Sequence, residues 1–241
     1  MLKISRLKLI LVACLCIRGG AMYAGAADDN VFRSAYASRD IALNTDPQSI
    51  FWQAAPAVYA EVDKYGRVIN GYKTRVSSRW TKRYLYLLFE CPYEELYLKP
   101  SPNAAVETNR LWNWDVAELF IGSDFDNIRR YKEFEVSPQG EWVDLDINLD
   151  LPDHTVGWTW NSGFQADARI DAGAKIWYAA MKIPFAALDR RGPSPGETFR
   201  ANLFRSQGPP DHRQSIAWKA PMADTFHTPE KFGLIMLVKN E

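Results

Sequence analysis

The feature that most constrains this chain is a succession of short β-type runs cut by proline, glycine and Asp/Asn turns, with almost nothing that reads as helix. Arg83 to Glu90 is aromatic and aliphatic and stops before Pro92. Val116 to Ile121 stops at Gly122. Tyr131 to Val136 and Glu141 to Leu149 flank Ser137-Pro138-Gln139-Gly140, a four-residue hairpin signal. Phe164 to Ile170 and Ile176 to Ile183 flank Asp171-Ala172-Gly173-Ala174, and Phe199 to Phe204 and Phe232 to Val238 follow. The best amphipathic stretch, Pro184 to Asp189, covers about two turns. This pattern predicts an all-β, antiparallel β-sandwich of jelly-roll or immunoglobulin-like type with at most short helices. A barrel is the alternative architecture.

Residues 1–26 read as a secretory signal peptide. Lys3, Arg6 and Lys8 form a basic start, Leu9 to Ile17 is apolar but too short to span a bilayer, and Ala24-Gly25-Ala26 suits cleavage. Leu11-Val12-Ala13-Cys14 also satisfies a lipobox, which would leave a lipid on Cys14. Either route exports the protein, and no other stretch reads as a transmembrane helix. No linker follows residue 40, so residues 27–241 form one domain. Without the leader the 29 acidic residues outnumber the basic ones by about four. That balance argues against a nucleic-acid or anionic-membrane partner. Cys91 is then alone, so the core rather than a disulfide must hold the fold.

The hairpin at 131–149 carries unusual charge. With a four-residue turn, Phe134 and Val136 share a face with Val143, Leu145 and Ile147. Glu133 and Glu135 then share the other with Trp142, Asp144 and Asp146, and Glu133 opposes Asp144. Like charges directly opposite are destabilising. A positive group should sit over that face: Arg169, Lys182 or Arg200, or a cation such as calcium.

Nine Trp, eleven Tyr and twelve Phe are many for one domain. Sugar recognition uses flat aromatic faces against the C–H face of a pyranose and charged side chains on its hydroxyls. Arg110-Leu111-Trp112-Asn113-Trp114-Asp115-Val116-Ala117-Glu118 supplies both. If extended throughout, it presents Arg110, Trp112, Trp114 and Glu118 on one face. Packing of either Trp into the core is the plainer alternative. Glu135 and Trp142 on the acidic hairpin face, and His227 in its loop, join the candidate sugar contacts. Asp124, Asp126 and Asn127, after Gly122, offer the oxygen chemistry of a calcium loop; an Asp/Asn turn is the other reading.

An ordered series of blocks adds a family. Phe51-Trp52-Gln53-Ala54-Ala55, Tyr84 to Cys91, Trp114 to Ile121 and Tyr131 to Pro138 come first. Trp177 to Phe185, Gly196-Glu197 with Arg200-Ala201-Asn202, and Trp218 before Phe226 to Gly233 complete it. From about Trp52 to Val238 the chain resembles the family 9 carbohydrate-binding modules, within the DOMON-like sandwiches. The resemblance implies binding of a mono- or oligosaccharide between paired Trp rings, with structural calcium in some members. It also implies a Trp shortly before a sugar-bonding Glu, which Trp112 and Glu118 match. A second stacking Trp from the C-terminal half would be Trp160 or Trp218.

Other chemistries have weaker support. Glu118, Glu133, Glu135, Asp144 and Asp146 could supply the carboxylate pair of a glycoside hydrolase, the alternative to a binding module. His154, His212 and His227 are too scattered for a zinc motif. Haem ligation through Met181 or Met222 has no supporting pattern.

Overall fold

The computed structural model describes residues 29–189 and 191–239. The leader and Cys14 lie outside them. Twelve strands run in chain order. They are β1 Val31–Tyr36, β2 Ala57–Ala60, β3 Thr74–Trp80, β4 Tyr84–Pro92, β5 Val116–Gly122 and β6 Arg130–Val136. Then come β7 Trp142–Asn148, β8 Gln165–Asp171, β9 Ile176–Pro184, β10 Thr198–Gln207, β11 Gln214–Ala217 and β12 Gly233–Val238. The α-helices are one-turn pieces, α1 Ile50–Gln53 and α2 Phe185–Leu188. Among the described residues the expectation of an all-β fold with short helices therefore holds, whereas the expected sandwich is not confirmed, since the strands join in one sheet.

The strands form one continuous sheet in the order β7-β6-β5-β10-β12-β1-β3-β4-β9-β8, with β11 beside β10 and β2 beside β3. It curls until it is nearly barrel-shaped. Backbone bonds between Val62 and Ala217 link the chain after β2 to β11 and tighten the curl. Pairing is antiparallel except at β1, which runs parallel to both β12 and β3.

Three apolar clusters explain the layering. The largest lies inside the curl: Leu119 of β5 and Phe134 of β6 pack with Leu87 and Phe89 of β4 and Trp177 and Met181 of β9. A second covers the opposite face of β5 to β7, and a third places Phe51 and Trp52 of α1 against Tyr86, Leu88 and Tyr178. Strands covered on both faces read as unbroken apolar runs, which is why β4 and β5 lack clean alternation.

The β6–β7 hairpin corrects the expected register. Val136 pairs with Trp142, not with Glu141, so five residues rather than four make the turn. Glu141 closes the turn, its carbonyl accepting the Ser137 N–H at 2.9 Å and its amide donating to the Ser137 hydroxyl. Its buried carboxylate pairs with Lys99 at 3.1 Å, a partner the local sequence does not reveal. A one-residue slip turns every side chain to the other face. Glu133 thus opposes Leu145, and Glu135 opposes Val143. The acids share a face with the apolar residues of β7. Trp142 and Asp144 face the other way, with Phe134 and Val136.

Candidate functional site

The face shared by β5, β6, β7 and β10 forms the floor of the candidate site. Glu118 stands between Glu135 and Phe204 across the ladder, and Phe120 between Glu133 and Asn202. All three glutamates are at most 3% exposed. A cavity of about 330 Å³ opens above them, reaching Glu118 and Glu133 from the floor.

Trp112 forms one wall. The segment 110–118 is not extended throughout. Leu111–Asn113 make a single 3₁₀ turn, entered through Arg110 in the left-handed backbone region (φ 61°). Leu111 is fully buried beneath it. Two charged residues pin the turn. Buried Asp115 accepts the Gly208 N–H at 2.6 Å and the Tyr97 N–H at 3.0 Å. Arg213 donates to the carbonyls of Trp112 (2.8 Å), Trp114 and Gly208 (2.7 Å). Trp112 is thereby fixed by charge-assisted bonds to backbone.

The 224–228 loop forms the opposite wall. Phe226 stacks on Phe204 with ring centres 4.2 Å apart and planes 9° off parallel. The His227 Nδ1 lies 2.6 Å from the Tyr131 hydroxyl. His154 meets the His227 ring edge-on at 4.2 Å. Burial, with His154 beside it, lowers the His227 pKa to about 3, so its imidazole is neutral.

Burial dominates the electrostatics of the floor. It raises Glu118 to about 8, reinforced by the charge of Glu133. It raises Glu133 to about 7. Glu135 is held well above the carboxylate range by burial and then by the charges of Glu118 and Glu133. Ser206 donates to Glu118 Oε1 at 3.0 Å. Such a floor offers closely spaced acceptors and, where protonated, donors for hydroxyl groups.

The structure brings together Trp112, Glu118 and His227 at the cavity, with Glu135 beside Glu118. It does not bring the others. Arg110 is exposed outside the cavity, and Trp114 is half-buried and does not line it, because the 3₁₀ turn breaks the alternation expected of an extended strand. Trp142 lies on the far face, packed on Phe164 and bonded through Nε1 to the Ala104 carbonyl at 3.1 Å. Trp218 is a core residue against Phe32. Trp160 packs on Phe134 with Lys132 over its ring. The C-terminal Trp packed on the site's own face is Trp158. Asp124 Oδ1 accepts the N–H groups of Asp126 and Asn127, both at 2.9 Å, which accounts for that loop as an Asx turn. Arg213, Ser206 and Phe226 were not singled out from the sequence; the Gly208-Pro209-Pro210 segment before Arg213 reads only as a loop.

The architecture is that of the family 9 carbohydrate-binding modules. The chain superposes on such a module from Caldicellulosiruptor kristjanssonii in complex with cellotriose, with a TM-score of 0.59 and 16% identity, over 88% of this chain and 95% of that one. The glucose complex from the same organism gives 0.59 and 15%, over 87% and 97%. A candidate carbohydrate-binding protein from Bacteroides uniformis gives 0.63 and 14%, over 86% and 98%. In sequence, an "Extracellular protein" of Arthroderma benhamiae is 25% identical over 179 residues, covering 69% of this chain and 79% of that protein. No protein-family profile matches the chain.

Proposed function

We propose that the cavity between Trp112 and Phe226 binds a mono- or oligosaccharide, and that the protein is an exported carbohydrate-binding module. The observation that carries the reading is an aromatic side chain beside buried carboxyls in one cavity, on a fold shared with modules bound to cellotriose and glucose. Trp112 supplies the face for a sugar ring. Glu118 and Glu133 take its hydroxyls. The cavity sits at the small end of the roughly 300–1,000 Å³ range of ligand pockets, which suits one or two sugar rings.

The test is calorimetry and Trp fluorescence against glucose, cellotriose and a wider glycan panel. Stacking of one ring contributes about 3–5 kcal/mol from apolar contact, so Kd should fall between roughly 0.2 and 6 mM from that contact alone. Trp112→Ala should weaken binding about tenfold or more, whereas Trp142→Phe on the far face should leave it unchanged. No binding to any soluble sugar would remove the proposal. Release of reducing sugar from a polysaccharide would instead favour the hydrolase alternative. Export is tested by the mass of the secreted protein. A start at residue 27 indicates simple cleavage, and a lipidated start at Cys14 indicates anchoring.

A further inference from the structure

We infer that Glu118, Glu133 and Glu135 hold a single hard divalent cation at the floor of the cavity, on the side where Glu118 and Glu133 meet open space. One carboxylate oxygen from each lies within 4.8 Å of the others. That is the spacing one ion imposes, since calcium bonds oxygen at about 2.3–2.6 Å and opposite ligands stand about twice that apart. All-oxygen ligation by three acids, with no Cys or His in the group, selects a hard metal over zinc or copper.

The second observation is independent of this convergence. Glu133 Oε2 and both oxygens of Glu135 are buried and accept no hydrogen bond. Buried polar atoms are almost always paired, and an orphaned carboxylate is among the costliest exceptions. The nearby cations are committed elsewhere. The charge of Arg213 reaches Glu118 and Glu135, but its N–H groups donate to three backbone carbonyls rather than to the carboxylates, and Lys64 donates to the Asp224 carbonyl at 2.6 Å. Glu118 is satisfied on one oxygen only by a neutral hydroxyl, that of Ser206. The cavity gives the ion its path in and room for the water or ligand oxygens that complete its shell. The Asp124 loop lacks this character, because its key carboxylate oxygen already accepts two backbone N–H groups. The competing arrangement is a proton shared between the Glu133 and Glu135 carboxyls.

Terbium luminescence tests the site on the full-length protein freed of metal. Tb³⁺ should bind one per chain, emit on Trp excitation because Trp112 lines the cavity, and be displaced by Ca²⁺. Glu133→Gln and Glu135→Gln keep side-chain shape and should each weaken terbium binding at least tenfold, whereas Asp124→Asn should not. If a Gln variant loses its near-ultraviolet dichroism, Trp112→Phe decides. It keeps all three acids, so terbium seen by direct excitation should persist while Trp-sensitised emission falls severalfold. Absence of saturable binding, as a shared proton would give, overturns the inference. So does loss of binding in Asp124→Asn, or unchanged sensitised emission in Trp112→Phe. Sugar binding measured in EDTA is read separately, so failure of the ion site leaves the sugar reading standing.

Discussion

Single residues far from the floor set conditions that the site depends on. Gly157 lies in the 3₁₀ segment His154–Thr159, which carries His154 to the cavity. A Cβ there would sit 2.1 Å from the backbone oxygen of Asp146 on β7. Backbone cannot give way as a flexible side chain can, so Gly157→Ala should destabilise by about 1–3 kcal/mol or more. It should also weaken sugar binding, and a melting curve paired with a titration reads both. Glu107 makes a different kind of contact. Its carboxylate accepts the Asp144 N–H at 3.4 Å, and burial followed by the Asp144 carboxyl raises its pKa from 4.5 to about 8. A raised folded-state pKa contributes stability that is complete below about 4.5 and lost as the pH rises through about 8. The melting temperature should therefore fall over that window, and Glu107→Gln should flatten the fall.

At the scale of elements, the turn bearing Trp112 and the β6–β7 hairpin decide what the floor presents. The turn's carbonyls are tied by Arg213, whose N–H groups donate to carbonyls and to none of the three sheet glutamates. Arg213→Ala leaves three carbonyls without their donor, at a cost of about 1–3 kcal/mol for a group left buried and unpaired. It should loosen Trp112 and reduce sugar affinity about tenfold. Lys should not restore it, because one ammonium cannot reproduce the planar fork. The hairpin shows how a small local choice propagates. Drawing Glu141 into the turn opposite Ser137 shifts the register by one, so Glu133 and Glu135 oppose Leu145 and Val143 instead of Asp144 and Trp142.

Over the whole molecule, the large cluster inside the curl joins both halves of the sheet through residues such as Leu87, Leu119 and Met181. Leu87→Ala, at a fully buried position of that cluster, should cost about 2–5 kcal/mol. Denaturant unfolding should register it as one cooperative loss, since a single sheet carries both halves. The all-β class was legible because the strand runs and their Gly/Pro punctuation are local properties of the chain, whereas sandwich against barrel was not, because closure depends on which distant strands pair. The parallel placement of β1 between β12 and β3 was not legible either, because partners far along the chain, Leu234 for Val31 and Arg79 for Ala35, leave no spacing signal in a short strand.

The candidate site divides along the same line. Trp112, Glu118, Glu135 and His227 were visible as residue types near β-type runs; the cavity gathers Trp112, Glu118 and His227, and Glu135 lies beside Glu118. The exclusion of Arg110, Trp114, Trp142 and Trp218, and the inclusion of Arg213 and Phe226, were not visible. By itself the sequence determined an all-β fold, rich in aromatics, with acidic residues clustered on one hairpin. Only the tertiary structure decided which β7 residues share the face of Glu133 and Glu135, because the register turns on whether Glu141 pairs with Ser137 inside the turn. The β5–β6 pairing sets Glu118 beside Glu135, with Glu133 two residues along, and burial there raises the pKa of all three carboxyls.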